Sequence, residues 1–202
     1  MKKYYLFLSL LISTALIYSC YPYNQIIMEN DSYKNEDRIY IDFLLYANPN
    51  KTSFGIIKKY KLVDIKFEKV YDNNVDTFKN IRMFISLKVP TDETLNNPVF
   101  FKIDNEIYKT NYKNIDNIIY TKKETEAVED STAINSFDNT TYSTVKKVRS
   151  EVKLNKLIID KLLYGNNINI RIYINENAYD IPFSYTKHKT LKRFIEKSTN
   201  RK

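Results

Sequence analysis

The sequence predicts a mainly β protein: antiparallel sheet, a β-sandwich in its simplest form, with two short helices near the C-terminus. An α+β arrangement is the alternative. Three observations carry this. Apolar residues recur with period two in several segments, as expected of strands with one face in a core and one in water. The intervening residues are polar, whereas strands of a doubly wound sheet would be apolar throughout. The turns between segments are written with Asn and Asp, residues that tolerate left-handed backbone, so a β protein with Gly at only 2 of 202 positions is feasible.

Composition sets the frame. Hydrophobic residues make up 43% and charged residues 28% of the chain, enough apolar content to fold around a core. Lys, Asn, Ile and Tyr are abundant, a skew that AT-rich codons produce. The formal charge is +8, and setting aside Lys2 and Lys3 lowers it to +6. Basic and acidic residues alternate along most of the chain, and no nucleic-acid-binding motif accompanies them.

The N-terminus opens with Lys2 and Lys3, followed by an apolar run from Leu6 to Ile17. That length suits a signal h-region of about 7–15 residues and falls short of the ~20 a membrane-spanning helix needs. Ile17-Tyr18-Ser19-Cys20 closes the run. It resembles the lipobox of bacterial lipoproteins, in which an aliphatic residue and small residues precede a cysteine. Tyr18 departs from the small residue usual at its position. The resemblance covers residues 1–20 only. It implies cleavage before Cys20 and transfer of a diacylglyceryl group to its sulfur, the nucleophile such a step requires. An ordinary secretory signal with an incidental cysteine, or an uncleaved anchor, are the competing readings. Cys20 is the only cysteine, so an internal disulfide is excluded. Tyr21 stands where Asp would favour inner-membrane retention, which points to an outer-membrane or surface location. The expected layout is a signal peptide over 1–19, a polar tether over 20–37 and a single β-rich domain over 38–202. A strand at Gln25–Met28 is the alternative to the tether.

Within the domain, Ile39, Ile41, Phe43 and Leu45 alternate with Tyr40, Asp42 and Tyr46. Val63, Ile65 and Phe67 alternate with Asp64, Lys66 and Glu68, and Ile81, Met83, Ile85, Leu87 and Val89 form a third such segment. Ile168, Ile170, Ile172 and Ile174 alternate with Asn169, Arg171, Tyr173 and Asn175. Phe101-Lys-Ile103-Asp-Asn-Glu-Ile-Tyr108 lines up with Ile172-Tyr-Ile174-Asn-Glu-Asn-Ala-Tyr179. Each reads as a hairpin, either duplicated or convergent in an Asn- and Tyr-rich chain. Asn155 caps a helix over 156–163 that Gly165 stops. A second runs from about Lys189 to Lys197 with Leu191, Phe194 and Ile195 on one face. Lys123 to Thr141 read as a long exposed loop.

Sites with specific chemistry are scarce. One His, no spare Cys and no acidic calcium loop make a metal or cofactor site improbable. Gly55 and Gly165 cannot build a phosphate loop, and no Gly-x-Ser-x-Gly elbow exists. His188, set among lysines, reads as a solvated helix-start residue. Asp42 with Asp64, and Glu124 with Glu126, read as ordinary surface carboxylates. Two features could bind a partner. Lys187, Lys189, Lys192, Arg193 and Lys197 form a basic C-terminal set suited to an anionic envelope component or a protein. Outward aromatics Tyr40, Tyr46 and Tyr173 could stack on sugars or mark an interface. The expectation is a lipid-anchored, non-catalytic binding or assembly module of the cell envelope, held to the membrane by its N-terminal lipid. An envelope glycan hydrolase using paired carboxylates and a host-facing antigen or adhesin are the alternatives.

Overall fold

The computed structural model describes residues 23–49, 60–72, 77–126 and 139–197. The expected signal peptide, the lipobox-like Ile17–Cys20 and the centre of the expected loop, 127–138, lie outside them. The described residues form ten strands: β1 (Ile26–Asp31), β2 (Glu36–Pro49), β3 (Lys61–Asp72), β4 (Thr77–Pro90), β5 (Leu95–Ile103), β6 (Glu106–Thr110), β7 (Tyr112–Glu126), β8 (Asn139–Lys153), β9 (Ile168–Ile174) and β10 (Asn177–Pro182). Helix α1 (Lys156–Tyr164) joins β8 to β9, and α2 (Tyr185–Glu196) follows β10. Nine strands form one curled sheet in the order β6-β5-β9-β10-β2-β3-β4-β8-β7, and β1 pairs with β2 off this path. Every pairing is antiparallel.

The sheet has two wings. The first holds β1, β2, β3, β4, β8 and β7; the second holds β6, β5, β9 and β10. They meet at a short seam, Tyr179 against Pro49 and Asp180 against Asn48. A single core cluster takes side chains from both wings and both helices. The inward apolar residues of β2, β3, β4 and β9 predicted from the period-two pattern are all at most 3% exposed. Phe43, Phe67, Phe183 and Phe194 link the first wing to α2 through ring pairs 5.4–6.5 Å apart, separations at which such pairs attract. Far from the seam, Asn97 ties β5 to the start of β7. Its Nδ2 donates to Tyr112 O (3.2 Å) and its Oδ1 accepts from Tyr112 N (2.8 Å).

Several expectations are corrected. Residues 26–31 are not tether but strand: Ile26 to Asp31 pair in register with Ile41 to Glu36. Their composition fits a strand at the sheet margin, with one row of backbone groups paired and half of the residues, Met28, Glu29 and Asn30, exposed. The expected loop is shorter at both ends, because β7 runs to Glu126 and β8 starts at Asn139. Helix α2 begins four residues early, at Tyr185, with Ser184 Oγ accepting from Lys187 N (3.4 Å). His188 hid that first turn. Counted as polar, it broke the pattern that it completes with Leu191, Phe194 and Ile195.

Asn155 caps α1 as expected, accepting from Ile158 N (2.9 Å). Gly165 ends it for a different reason from left-handed backbone. Its φ is −66°, but a Cβ there would overlap Ile103 Cγ2 and crowd Lys161 O. Left-handed backbone is carried instead by Asn24, Asn35, Asp104 and Asn175.

Candidate functional site

The two similar hairpins build the most site-like surface. Asp104 opens the β5–β6 turn at φ 53° and Asn175 opens the β9–β10 turn at φ 52°, so the sequence match extends to the backbone. The hairpins lie side by side, and Phe100 faces Arg171 across the β5–β9 pairing. These two residues hold equivalent places in the two segments, which gives the second wing a local two-fold relation. Lys109, Phe100, Arg171 and Asp180 form one row across its outer face, and Ile107, Lys102 and Asn169 form the next.

A cavity of about 240 Å³ opens on this face, lined by Phe100, Lys102, Ile107, Asn169, Arg171, Tyr173 and Asp180. The Phe100 and Tyr173 rings meet edge to face, 6.0 Å apart. Arg171 makes two bonds to Asp180, Nε to Oδ1 at 2.7 Å and Nη2 to Oδ2 at 2.9 Å, which fixes a planar polar wall. That pairing holds the guanidinium pKa above its usual value. Asn169 Oδ1 is buried without a hydrogen-bond partner. Ile107 is 66% exposed at the rim. Of these residues, only Tyr173 stands out in the sequence as a binding candidate. The missed signal lies in the four-isoleucine strand, whose outward positions carry Asn, Arg and Tyr. The partners opposite them depend on strand pairing.

The basic C-terminal residues divide. Lys187 is taken up structurally. Strand β2 lacks a strand neighbour between the β1 pairing and the seam with β10. There Asn24 N donates to Asp42 O (2.8 Å) and Lys187 Nζ donates to Leu44 O (2.6 Å). Burial lowers the Lys187 pKa. At 100° per residue, Lys189, Lys192, Arg193 and Lys197 share the solvent side of α2, with Glu196 among them.

Two polar groups expected at the surface are buried. His188 is 3% exposed, with Nδ1 3.0 Å from Asn166 O and Nε2 3.1 Å from Leu162 O. It bridges α2 to the end of α1, which corrects the reading of a solvated residue. Asp42 is 3% exposed and lies diagonal to Asp64 on the outer face of the first wing. A shallow hollow of about 210 Å³ holds both with Lys66, Phe84, Ser86, Lys147 and Arg149. Burial, then the Asp42 charge, raises the Asp64 pKa, against the pull of Lys147, Lys66 and Arg149. Glu124 and Glu126 fall in β7, where side chains lie outside the description. Tyr46 is exposed as expected. Tyr40 is engaged: its hydroxyl donates to Glu29 (2.6 Å) and its ring lies 3.7 Å from Lys66 Nζ.

One lysine points inward. Lys69 continues the buried face of Val63, Ile65 and Phe67 and is 1% exposed. Its Nζ donates to Ile195 O (2.5 Å) and Lys197 O (3.1 Å) at the end of α2, where Tyr71 Oη also donates to Lys197 O (3.0 Å). A cation there suits the negative end of the helix dipole. Burial pulls its pKa down to about 8.

Among the described residues no group of three or more His, Cys, Asp or Glu is placed to hold a metal, and no helix is long and apolar enough to cross a membrane. No family model, curated protein or solved structure matches the chain.

Proposed function

We propose that this chain is a lipid-anchored, non-catalytic binding or assembly module of the bacterial cell envelope, located at the outer membrane or cell surface. Its binding surface is the outer face of the β5–β6 and β9–β10 hairpins. The observation that carries the binding part is the cavity of about 240 Å³ in which the Phe100–Tyr173 ring pair stands with the Arg171–Asp180 pair. The anchoring part rests on the Cys20 lipobox. Two acyl chains hold a protein stably where one does not.

Intact mass of the wild type against Cys20→Ala tests the anchor. Loss of a diacylglyceryl-sized mass with accumulation of uncut precursor supports it; a wild type cut elsewhere and unlipidated refutes it. The solvent side of α2 is a second contact, for an anionic envelope component. Deleting it from Leu191 onward is a poor test, because Leu191 and Phe194 are core residues. Lys189→Glu with Arg193→Glu keeps the core and should weaken capture of anionic envelope material by the detergent-solubilised chain, more at low salt than at high salt.

The Asp42–Asp64 pair, diagonal neighbours in one hollow, favours glycan hydrolysis as a second reading, a reaction that two carboxylates flanking the bond perform. Release of reducing ends from an envelope glycan by the wild type, abolished in Asp64→Asn, would decide for it.

A further inference from the structure

We infer that the solvent side of α2 lies on the anionic phospholipid headgroups of the membrane that holds the Cys20 lipid. The inference rests on the anchor proposed above and names the anionic component that α2 meets. Two observations carry it. The first is where the described chain begins. Asn24, Gln25 and Ile26 share an open hollow with Arg193, Glu196 and Lys197 at the end of α2. Four residue steps separate Cys20 from Asn24, and at about 3.8 Å per step they span at most ~15 Å. A lipid on Cys20 therefore keeps this end of the molecule within roughly two Debye lengths of the headgroups at physiological salt.

The second is the chemistry of that side. Tyr185, Lys189 and Arg193 stand four residues apart, so they line one stripe of the helix, and all three are exposed. Lys197, also exposed, follows them. Lys189, Arg193 and Lys197 form no ion pair among the described residues, and Glu196 is the one carboxylate of α2. Lys192 is half-buried and lies near Asp104. Leu191 and Phe194 are core residues, so this side has no apolar stripe to sink among acyl chains. It suits headgroup level, where tyrosine also favours the boundary between apolar and aqueous layers. The other flank of the chain start is less suited. Tyr23 lies near Asp42 and Asp64, two carboxylates that share their hollow with Lys66, Lys147 and Arg149. The Lys66 and Arg149 charges there lie over the Tyr40 and Phe84 rings.

The chain has no tryptophan, so Tyr185→Trp places a single fluorescent reporter on the stripe. The full chain carrying it is purified in detergent and reconstituted into vesicles of phosphatidylcholine, with or without phosphatidylglycerol, each holding a lipid spin-labelled at the headgroup as quencher. Quenching should be stronger in the anionic vesicles and should fall to the neutral-vesicle level at about 1 M salt, where the Debye length is about 3 Å. Each cation near an anionic surface favours the docked state about fivefold. Lys189→Glu with Arg193→Glu should therefore lower the docked-to-free ratio at least about tenfold and erase the difference between vesicle types, and an unchanged melting temperature excludes misfolding. Equal quenching in both vesicle types, or a difference that the charge reversal or high salt leaves intact, overturns the inference. Flotation with neutral vesicles reads the anchor separately, because no anionic lipid holds the chain there. A chain that floats but shows no anionic preference in quenching keeps its anchor and loses the docking face. A chain that does not float refutes the anchor; stronger quenching with phosphatidylglycerol then upholds the face by itself, and equal quenching ends both.

Discussion

Replacing Lys69 by Met should change how stability depends on pH. In the folded chain the Lys69 ammonium is buried and its pKa falls from 10.5 to about 8; in the unfolded chain it regains the ordinary value. Between those two values the unfolded state binds more protons, so the free energy of unfolding rises with pH across that window. A shift of this size corresponds to roughly 3 kcal/mol in the limit. Between about pH 7 and about pH 9.5 the expected gain is ~2 kcal/mol. The helix end lies beside exposed Lys197, and water there screens part of the effect, leaving about 1 kcal/mol or more. Met fills the same space without titrating. Two carbonyl oxygens lose a donor, but a desolvated charge goes too, so stability near neutral pH should change by only about 1 kcal/mol. The assay is urea denaturation of both proteins over a pH series. It should stop short of about pH 10, because Tyr40 and Tyr112, both raised to about 12, bring an opposite trend above it. The wild-type advantage over Lys69→Met should grow steadily from neutral to alkaline pH. A flat difference would refute the reasoning and mean that the helix carbonyls fully offset the desolvation.

Gly165→Ala should destabilise by about 1–3 kcal/mol through overpacking against Ile103 and Lys161 O, since its φ is open to alanine. A thermal melt reads this, and an unchanged midpoint would mean that α1 and β5 separate at little cost. Asp64→Asn should stabilise the protein near neutral pH. A carboxyl whose pKa is raised by folding binds protons more readily folded than unfolded, so its contribution falls as pH rises through the carboxylate range. The gain should shrink toward about pH 3, where both states are protonated; a gain independent of pH would assign the effect to packing instead.

The legible parts of the fold were those written in local period. Ile168 to Ile174 had to place one face inward, because side-chain direction alternates along a strand whatever its neighbours. Asp104 and Asn175 were recognisable as turn residues because left-handed backbone is a property of a single residue. Lys69 and His188 were illegible for the converse reason. Each is polar by type and would be costly to bury alone. What makes burial tolerable is a set of carbonyl oxygens far away in sequence: Ile195 and Lys197 for one, Leu162 and Asn166 for the other.

By itself, then, the sequence determined the antiparallel β class, the inward faces of β2, β3, β4 and β9, the cap of α1 and the expectation of a lipid at Cys20. Tertiary structure alone decided that β1 joins the sheet, that Lys187 fills a gap beside β2, and that Phe100, Lys102, Asn169, Arg171 and Asp180 share one cavity. Period and propensity act within a few residues along the chain. Which strands become neighbours, and in which register, depends on contacts between distant segments, and the candidate site is made entirely of those.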